Sequence, residues 1–200
     1  MPSLSSFSAL VTGAGRGRGK ASALALAQAG ARVIAVDINP DSVQRTADEI
    51  TAAGGAAVAH TVDVSNKLAV QTLHYSLLEV NEHIGIVVNA AHVTPASPAL
   101  KVDEWEWNRT LDVNLKGAFL VSQTMARAMK ETGGGFIFNL VRPASASAHA
   151  AVRAAREGLL GLTAVLAEEW GALGVRVQAI EAPDAQSAAA EVLRRCLSTD

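Results

Sequence analysis

Hydrophobic and polar positions divide the chain into two kinds of segment that alternate. Short apolar runs predict six buried strands, at 9–11, 33–36, 56–62, 84–88, 136–141 and 175–180. Apolar residues at helical spacing predict the intervening helices, at 20–29, 41–53, 67–80, 102–129, 151–170 and 187–197. This alternation, without internal repeats, predicts an α/β fold: a Rossmann-like, doubly wound parallel sheet with strand order 3-2-1-4-5-6 and helices on both faces. One domain over residues 1–200 is the expected organisation.

The first predicted strand leads into a glycine-rich loop, Thr12-Gly13-Ala14-Gly15-Arg16-Gly17-Arg18-Gly19. Such glycines let the backbone turn tightly and approach a pyrophosphate, which amide N–H groups at the start of the next helix can bind. The second strand ends on Asp37, where a carboxylate can accept hydrogen bonds from both adenosine ribose hydroxyls and would repel a 2′-phosphate. The pattern predicts a dinucleotide site that prefers NAD to NADP. A glycine-rich surface turn without a ligand is the alternative.

Composition excludes several classes of protein but names no function. Half of the residues are hydrophobic, yet no apolar run approaches the ~20 residues of a membrane span. A net charge of −2 provides no broad field for nucleic acid or an anionic membrane. The single cysteine, Cys196, cannot form an intrachain disulfide, and the first fifteen residues carry no Lys or Arg. We therefore expect a cytoplasmic protein with no nucleic-acid partner, no membrane partner and no metal site.

The glycine loop departs from G-x-G-x-x-G spacing, because position 18 is Arg, and instead follows T-G-x-x-x-G-x-G. In this it resembles the short-chain dehydrogenase/reductase family. The phrases Leu111-Asp112-Val113-Asn114-Leu115-Lys116-Gly117, Phe136-Ile137-Phe138-Asn139-Leu140 and Glu157-Gly158-Leu159-Leu160-Gly161-Leu162-Thr163 extend the resemblance, which runs from about residue 9 to 183. It implies that the cofactor contacts are Gly13, Arg16, Gly17, Arg18, Gly19, Asp37, Asp63, Val64, Asn89 and Arg156.

Two of these positions, and His92 beside them, have more than one interpretation. The resemblance places Asp63 beside the adenine, whereas its position alone also fits an N-cap for the helix that begins near Asn66. Arg18 could pair with the pyrophosphate or remain solvated. His92 stands where the family usually has glycine, and a lone histidine in a loop is expected to face solvent.

The resemblance also implies four catalytic positions: an Asn, a Ser, a Tyr, and a Lys four residues after the Tyr. In this sequence Asn114 is retained, while Arg142, Val152 and Arg156 stand at the Ser, Tyr and Lys positions. Valine cannot transfer a proton, and the only tyrosine, Tyr75, is predicted on the third helix. Arg156 keeps a positive charge that can still bond ribose hydroxyls. The cation of Arg142 should disfavour oxidised nicotinamide or turn towards solvent or an anionic ligand.

These substitutions predict a protein that binds NAD(H) but has lost oxidoreductase catalysis, and so serves as a cofactor-sensing or structural subunit. The same expectation follows from the covering loop and seventh strand that relatives place after the sixth strand and that this sequence lacks. The alternative is an active NAD-dependent short-chain oxidoreductase for a carbonyl or alcohol. It would use displaced groups such as His149 or Arg142, with an anionic substrate among the options. A third possibility is a degenerate product that binds no nucleotide.

Assembly is expected from the same resemblance. Helices 102–129 and 151–170 resemble those that form the family's four-helix dimer interface. A homodimer is therefore the default expectation, with a hetero-oligomer containing an active relative as the other option. The substrate itself is not predicted.

Overall fold

The computed structural model describes residues 4–95, 97–143 and 149–198. Six strands form one sheet: β1 (Ser8–Thr12), β2 (Arg32–Asp37), β3 (Ala56–Thr61), β4 (Ile84–Asn89), β5 (Gly135–Val141) and β6 (Val175–Glu181). Their order is β3-β2-β1-β4-β5-β6, and every neighbouring pair is parallel. The predicted fold class and strand order are confirmed.

The helices lie between the strands, as the apolar spacing predicted. They are α1 (Gly17–Gln28), α2 (Pro40–Ala52), α3 (Lys67–Glu79), α4 (Glu104–Leu111), α5 (Ala118–Glu131), α6 (Ala150–Gly171) and α7 (Ala185–Leu197). The helix predicted at 102–129 is interrupted, because a wider π-helical segment, Asp112–Gly117, separates α4 from α5. No helix among the described residues is both long and apolar enough to cross a lipid bilayer.

Two apolar cores flank the sheet, one on each face. Helices α1, α2 and α7 cover the first face, with Leu26, Ile50 and Val192 among its buried side chains. Helices α3, α5 and α6 cover the second face, with Leu73, Met125 and Leu166 among its buried side chains. Covering both faces explains why the strands are nearly continuous apolar runs instead of alternating ones.

The fold brings the carboxyl ends of β1 and β4 together at the centre of the sheet. These strands pair from Ser8 with Ile84 to Thr12 with Asn89. The strand order reverses between them, since β2 and β3 lie on one side and β5 and β6 on the other. In open α/β sheets, ligands bind in the crevice at such a switch point. The predicted site residues must therefore be sought at this edge.

Candidate active site

Several positions of the loop after β1 either have no room for a side chain or adopt a backbone conformation that favours glycine. Gly13 and Gly17 have φ angles of +64° and +56°, which favour glycine. A Cβ at Gly13 would lie 2.8 Å from the Ala90 carbonyl oxygen, and one at Gly19 would lie 2.2 Å from the Gly13 carbonyl oxygen. Gly13 and Gly17 line the cleft, whereas Gly19 is buried. The loop thus presents backbone to the cleft.

A cleft of about 470 Å³ begins at this loop and extends to the end of β2. Its lining includes seven of the predicted cofactor residues: Gly13, Arg16, Gly17, Arg18, Asp37, Asp63 and Val64. The cleft therefore has the glycine turn, the start of a helix and a terminal acid in one continuous space. This arrangement fits an elongated dinucleotide.

Asp37 is already held in place by backbone groups. Its Oδ2 accepts a hydrogen bond from the Gly15 N–H at 2.9 Å, and its Oδ1 accepts one from the Asn39 N–H at 3.0 Å. Two carboxylate oxygens together offer about four acceptor sites. Asp37 can therefore accept two ribose hydroxyls without losing the bonds that position it.

Asp63 also lines this cleft, and hydrogen bonds hold its side chain. Its carboxylate accepts bonds from Arg109 Nη1 at 3.0 Å and from the N–H and hydroxyl of Ser65 at 2.9 and 2.6 Å. Burial opposes ionisation, but these bonds and the Arg109 charge lower the pKa of Asp63 overall. The alternative N-cap role is wrong, because the Asn66 side chain caps α3 by accepting from the Ala69 N–H at 3.1 Å.

Arg18 is tied to the segment that follows β6. Its Nη2 donates to the carbonyl oxygens of Ala182 at 2.6 Å and Pro183 at 3.2 Å. Burial and the nearby Arg142 lower the pKa of Arg18, although Asp184 opposes them. The expectation of a merely solvated side chain is therefore wrong. Pairing of Arg18 with a pyrophosphate remains a prediction and would compete with these two bonds.

A second cavity of about 370 Å³ adjoins the cleft, and all four implied catalytic positions line it: Asn114, Arg142, Val152 and Arg156. The two spaces share several wall residues, among them Val64, His92 and Arg142. Tyr75 lines neither and is 64% exposed on α3. The fold thus brings the four positions that the sequence implied, which come from three separate segments, to one cavity.

Asn114 sits in the π-helical segment and fixes the chain that follows β4. Its Oδ1 accepts from the Val93 N–H at 2.8 Å, and its Nδ2 donates to the Val93 carbonyl oxygen at 2.9 Å. From the other side, the Thr12 hydroxyl oxygen accepts from the N–H groups of Ala90 and Ala91 at 3.1 and 3.2 Å. The backbone on both sides of His92 is therefore held in place.

Arg156 is largely committed to protein partners. Its Nε donates to the Arg142 carbonyl oxygen at 2.8 Å, and its two terminal nitrogens pair with Glu157 at 2.6 Å and Glu181 at 2.5 Å. Only 13% of its side chain is exposed. A ribose hydroxyl that binds Arg156 would have to share this guanidinium with two carboxylates.

Asn89 closes β4 as part of a buried polar chain. Its Nδ2 donates to Ser122 Oγ and to Asn139 Oδ1, both at 2.9 Å, and Asn139 Nδ2 donates to Thr163 Oγ1 at 2.8 Å. Within the described part of the chain, Asn89 Oδ1 is buried and has no hydrogen-bond partner. Asn89 lines the second cavity, although this oxygen itself is buried.

Two histidines line the second cavity beside the four implied positions. His149 is the N-cap residue of α6, and its imidazole makes no capping hydrogen bond. It precedes Val152 by three residues, so the two lie on one side of the helix start. His149 is thus the histidine nearest in sequence to the Tyr position, and it is half-buried.

His92 lines both the cleft and the second cavity. Its Nε2 is buried without a partner among the residues that the structure describes. Burial, followed by the charges of Arg142 and Arg18, lowers the pKa of His92 to about 4, so the ring is neutral near pH 7. The expectation of a solvent-facing His92 is wrong. The signal that could have located it is its position directly after a strand that ends at the switch point.

Known proteins with similar sequences are named dehydrogenases. A D-threitol dehydrogenase of Mycolicibacterium smegmatis is 39% identical over 175 residues, which cover 86% of this chain and 67% of that protein. An NAD-dependent glycerol dehydrogenase of Listeria innocua is 36% identical over 175 residues, covering 86% of this chain and 68% of that protein. The chain therefore spans about two thirds of the length of these relatives.

These relatives correct the main functional expectation. The prediction that oxidoreductase catalysis has been lost is wrong, since the similar proteins are named as active dehydrogenases and indicate an active oxidoreductase here. The prediction rested on the changed Ser, Tyr and Lys positions and on the missing covering loop and seventh strand, and it left displaced groups such as His149 to the alternative. The cavity that contains those positions also contains His92 and His149, so changes at three positions do not leave it without ionisable groups.

Solved structures and the family comparison agree with this reading. A metagenomic short-chain oxidoreductase in complex with NADP superposes with a TM-score of 0.92 at 32% identity, covering 98% of this chain and 93% of that one. The family described as short chain dehydrogenase matches residues 8–195. The sequence motifs, the sheet order and the adjoining cleft and cavity all agree with that match. The chain therefore belongs to the short-chain dehydrogenase family.

Proposed function

We propose that this chain is an active NAD-dependent oxidoreductase for a carbonyl or alcohol substrate, with its proton-transferring group displaced from the family's Tyr position. The observation that carries the proposal is the shared wall between a dinucleotide-shaped cleft and a cavity that contains His149. A bound nicotinamide supplies or accepts the hydride. The protein must bind it, orient the substrate, exclude water and move one proton.

Binding and orientation are assigned to residues already in place. Backbone N–H groups at the start of α1 meet the pyrophosphate, and Asp37 accepts the adenosine ribose hydroxyls. Asn114 and Thr12 hold the chain around His92, which lines both the cleft and the cavity. The apolar side chains of Val113, Leu140 and Leu159 line the cavity and disfavour bulk water around the reacting carbon.

Proton transfer is assigned to His149. A general acid or base needs hydrogen-bond reach of the reacting oxygen, directly or through one water. Val152 offers no proton and is smaller than tyrosine, so it leaves space on the wall beside His149. The guanidinium of Arg142 stays charged and is a poor proton donor. His149 therefore replaces the missing phenol in this proposal.

NAD is the proposed cofactor because Asp37 occupies the ribose end of the cleft. One similar protein is named as NAD-dependent and one similar structure holds NADP, so the family accommodates both cofactors. We expect the purified protein to oxidise NADH with members of a panel of aldehydes and ketones, with kcat/KM at least about tenfold above that for NADPH. NADH that binds in a fluorescence titration without turnover on any panel member would contradict the proposed activity.

Asp37→Ser tests the basis of the cofactor preference. Removing the carboxylate removes repulsion of the 2′-phosphate, so the NADH-to-NADPH ratio of kcat/KM should fall by about tenfold or more. Asp41→Ser is the matched control, because Asp41 is an exposed acid in the first turn of α2 and does not line the cleft. A ratio that changes equally in both variants would show that Asp37 does not set the preference.

A homodimer through the surfaces of α4, α5 and α6 is the proposed assembly. Two apolar side chains on these helices support it, since Trp105 on α4 is 74% exposed and Val165 on α6 is 48% exposed. Sedimentation velocity should find a particle of two chains that dissociates in Val165→Glu. A wild-type particle of one chain at micromolar concentration would contradict the proposal.

A further inference from the structure

The ionisable side chains that line the second cavity are all basic. Arg142, Arg153, Arg156, His92 and His149 all line it, and no Asp or Glu does so among the described residues. Its remaining lining is largely apolar, with Val113, Leu140, Val152 and Leu159 among the contributors. Such a cavity suits a ligand with a carbon skeleton and an anionic end.

Two of the three arginines already have carboxylate partners outside the cavity lining. Arg153 Nε lies 3.0 Å from Glu157, and Arg156 pairs with both Glu157 and Glu181. The guanidinium of Arg142 makes no ion pair or hydrogen bond with any described residue, although its backbone oxygen accepts from Arg156. Arg142 is thus the cation of this group that is left for a ligand.

The surroundings of Arg142 show its positive potential independently. His92 and Arg18 lie near it, and its charge helps to lower the pKa of both. Each of these groups is harder to protonate beside Arg142, and by the same Coulomb interaction an anion placed among them is stabilised. His92 and Arg142 both line the cleft and the cavity, so an anion placed there meets the Arg142 charge beside a neutral imidazole.

We propose that Arg142 selects substrates that carry a carboxylate, so that the oxidoreductase acts on keto acids or hydroxy acids in preference to neutral carbonyl compounds. The carboxylate pairs with the Arg142 guanidinium, and the chain between the acid and the carbonyl lies on the apolar wall. This assignment rests on the proposed oxidoreductase function. Arg142 is a specificity-determining residue in it, and the proton is still moved by His149.

The test compares acids with their neutral esters on the intact protein saturated with NAD⁺, which cannot reduce the keto group during the titration. Isothermal titration calorimetry would measure binding of pyruvate against methyl pyruvate and of levulinate against methyl levulinate. We expect at least one acid to bind about tenfold to a hundredfold more tightly than its ester, because a charge-assisted hydrogen bond to a guanidinium contributes that much. Acids that bind no better than their esters in both pairs, or that do not bind, would overturn the inference.

Arg142→Gln should reduce the acid-to-ester ratio to about one, whereas Arg127→Gln should leave it at the wild-type value. Arg127 is an exposed arginine on α5 that lines neither space, so it controls for the loss of one positive charge. If Arg142→Gln weakens NADH binding and leaves the ratio unchanged, Arg142 serves the cofactor diphosphate and the inference is wrong.

Turnover assays with NADH, followed by its absorbance on the same protein preparation, distinguish the selectivity of Arg142 from the proposed oxidoreductase activity. Selective binding of an acid without its reduction would refute the proposed activity and leave the selectivity of Arg142 intact. Turnover of acid and ester with equal kcat/KM would support the proposed activity and refute the selectivity of Arg142.

Discussion

Gly19→Ala should lower the free energy of unfolding by about 3 kcal/mol or more, even though it adds a single methyl group. The new Cβ would lie 2.2 Å from the Gly13 carbonyl oxygen and 2.9 Å from that of Thr12. Both obstructing atoms belong to the backbone, so no side-chain rotation relieves the contact. The start of α1 must move away from β1, and the cleft loses the turn that shapes its pyrophosphate end.

Gly17→Ala is the matched control for this substitution. Gly17 has a φ of +56°, yet a Cβ there would meet nothing within 4 Å. Its cost is limited to the left-handed backbone conformation, about 1 kcal/mol. Urea denaturation followed by circular dichroism would measure both variants, and NADH fluorescence would measure binding. Equal losses of stability in the two variants would show that the loop can shift to accept the Gly19 methyl group.

The strands and their order could be predicted because the signals are local. Each buried strand is a short apolar run bounded by a glycine or a polar residue, and right-handed crossovers leave few ways to order six such units. The interruption between α4 and α5 could not be predicted from periodicity. It occurs where Asn114 bonds both backbone groups of Val93, a contact between segments 21 residues apart.

The candidate site shows the same difference between local signals and contacts across the chain. Asp37, Gly13 and Val64 line the predicted cleft because their positions follow from the ends of β1, β2 and β3. The surroundings of Arg18 depend on Ala182 and Pro183, which are more than 160 residues away in the chain. His92 likewise lies near Arg142, a residue from the segment that follows β5. Sequence position located these side chains but could not supply their partners.

The incorrect expectation of lost catalysis has a similar origin. The expectation gave most weight to the Tyr, Lys and Ser positions, and it treated His149 only as part of the alternative. The fold creates a cavity from three segments, and His149 enters it from the start of α6. A group that performs general acid–base chemistry can be supplied from any part of that wall, provided that it reaches the reacting oxygen.

His149→Ala should therefore lower kcat for NADH-linked reduction by about a hundredfold to ten-thousandfold, the usual contribution of general acid–base catalysis. Neither cofactor binding nor stability should change comparably, because the His149 side chain makes no capping hydrogen bond to α6 and does not line the dinucleotide cleft. Steady-state rates on a responsive substrate and an NADH titration would measure the two effects separately.

His83→Ala is the control for removing an imidazole, since His83 is exposed and lines neither the cleft nor the cavity. His92→Gln completes the comparison, because His92 is the other histidine of the cavity. If kcat is unchanged in His149→Ala and falls sharply in His92→Gln, proton transfer must be assigned to His92. A kcat that survives in both would remove histidine from the mechanism. Loss confined to His149→Ala would identify His149 as the group that takes over from the phenol that Val152 replaced.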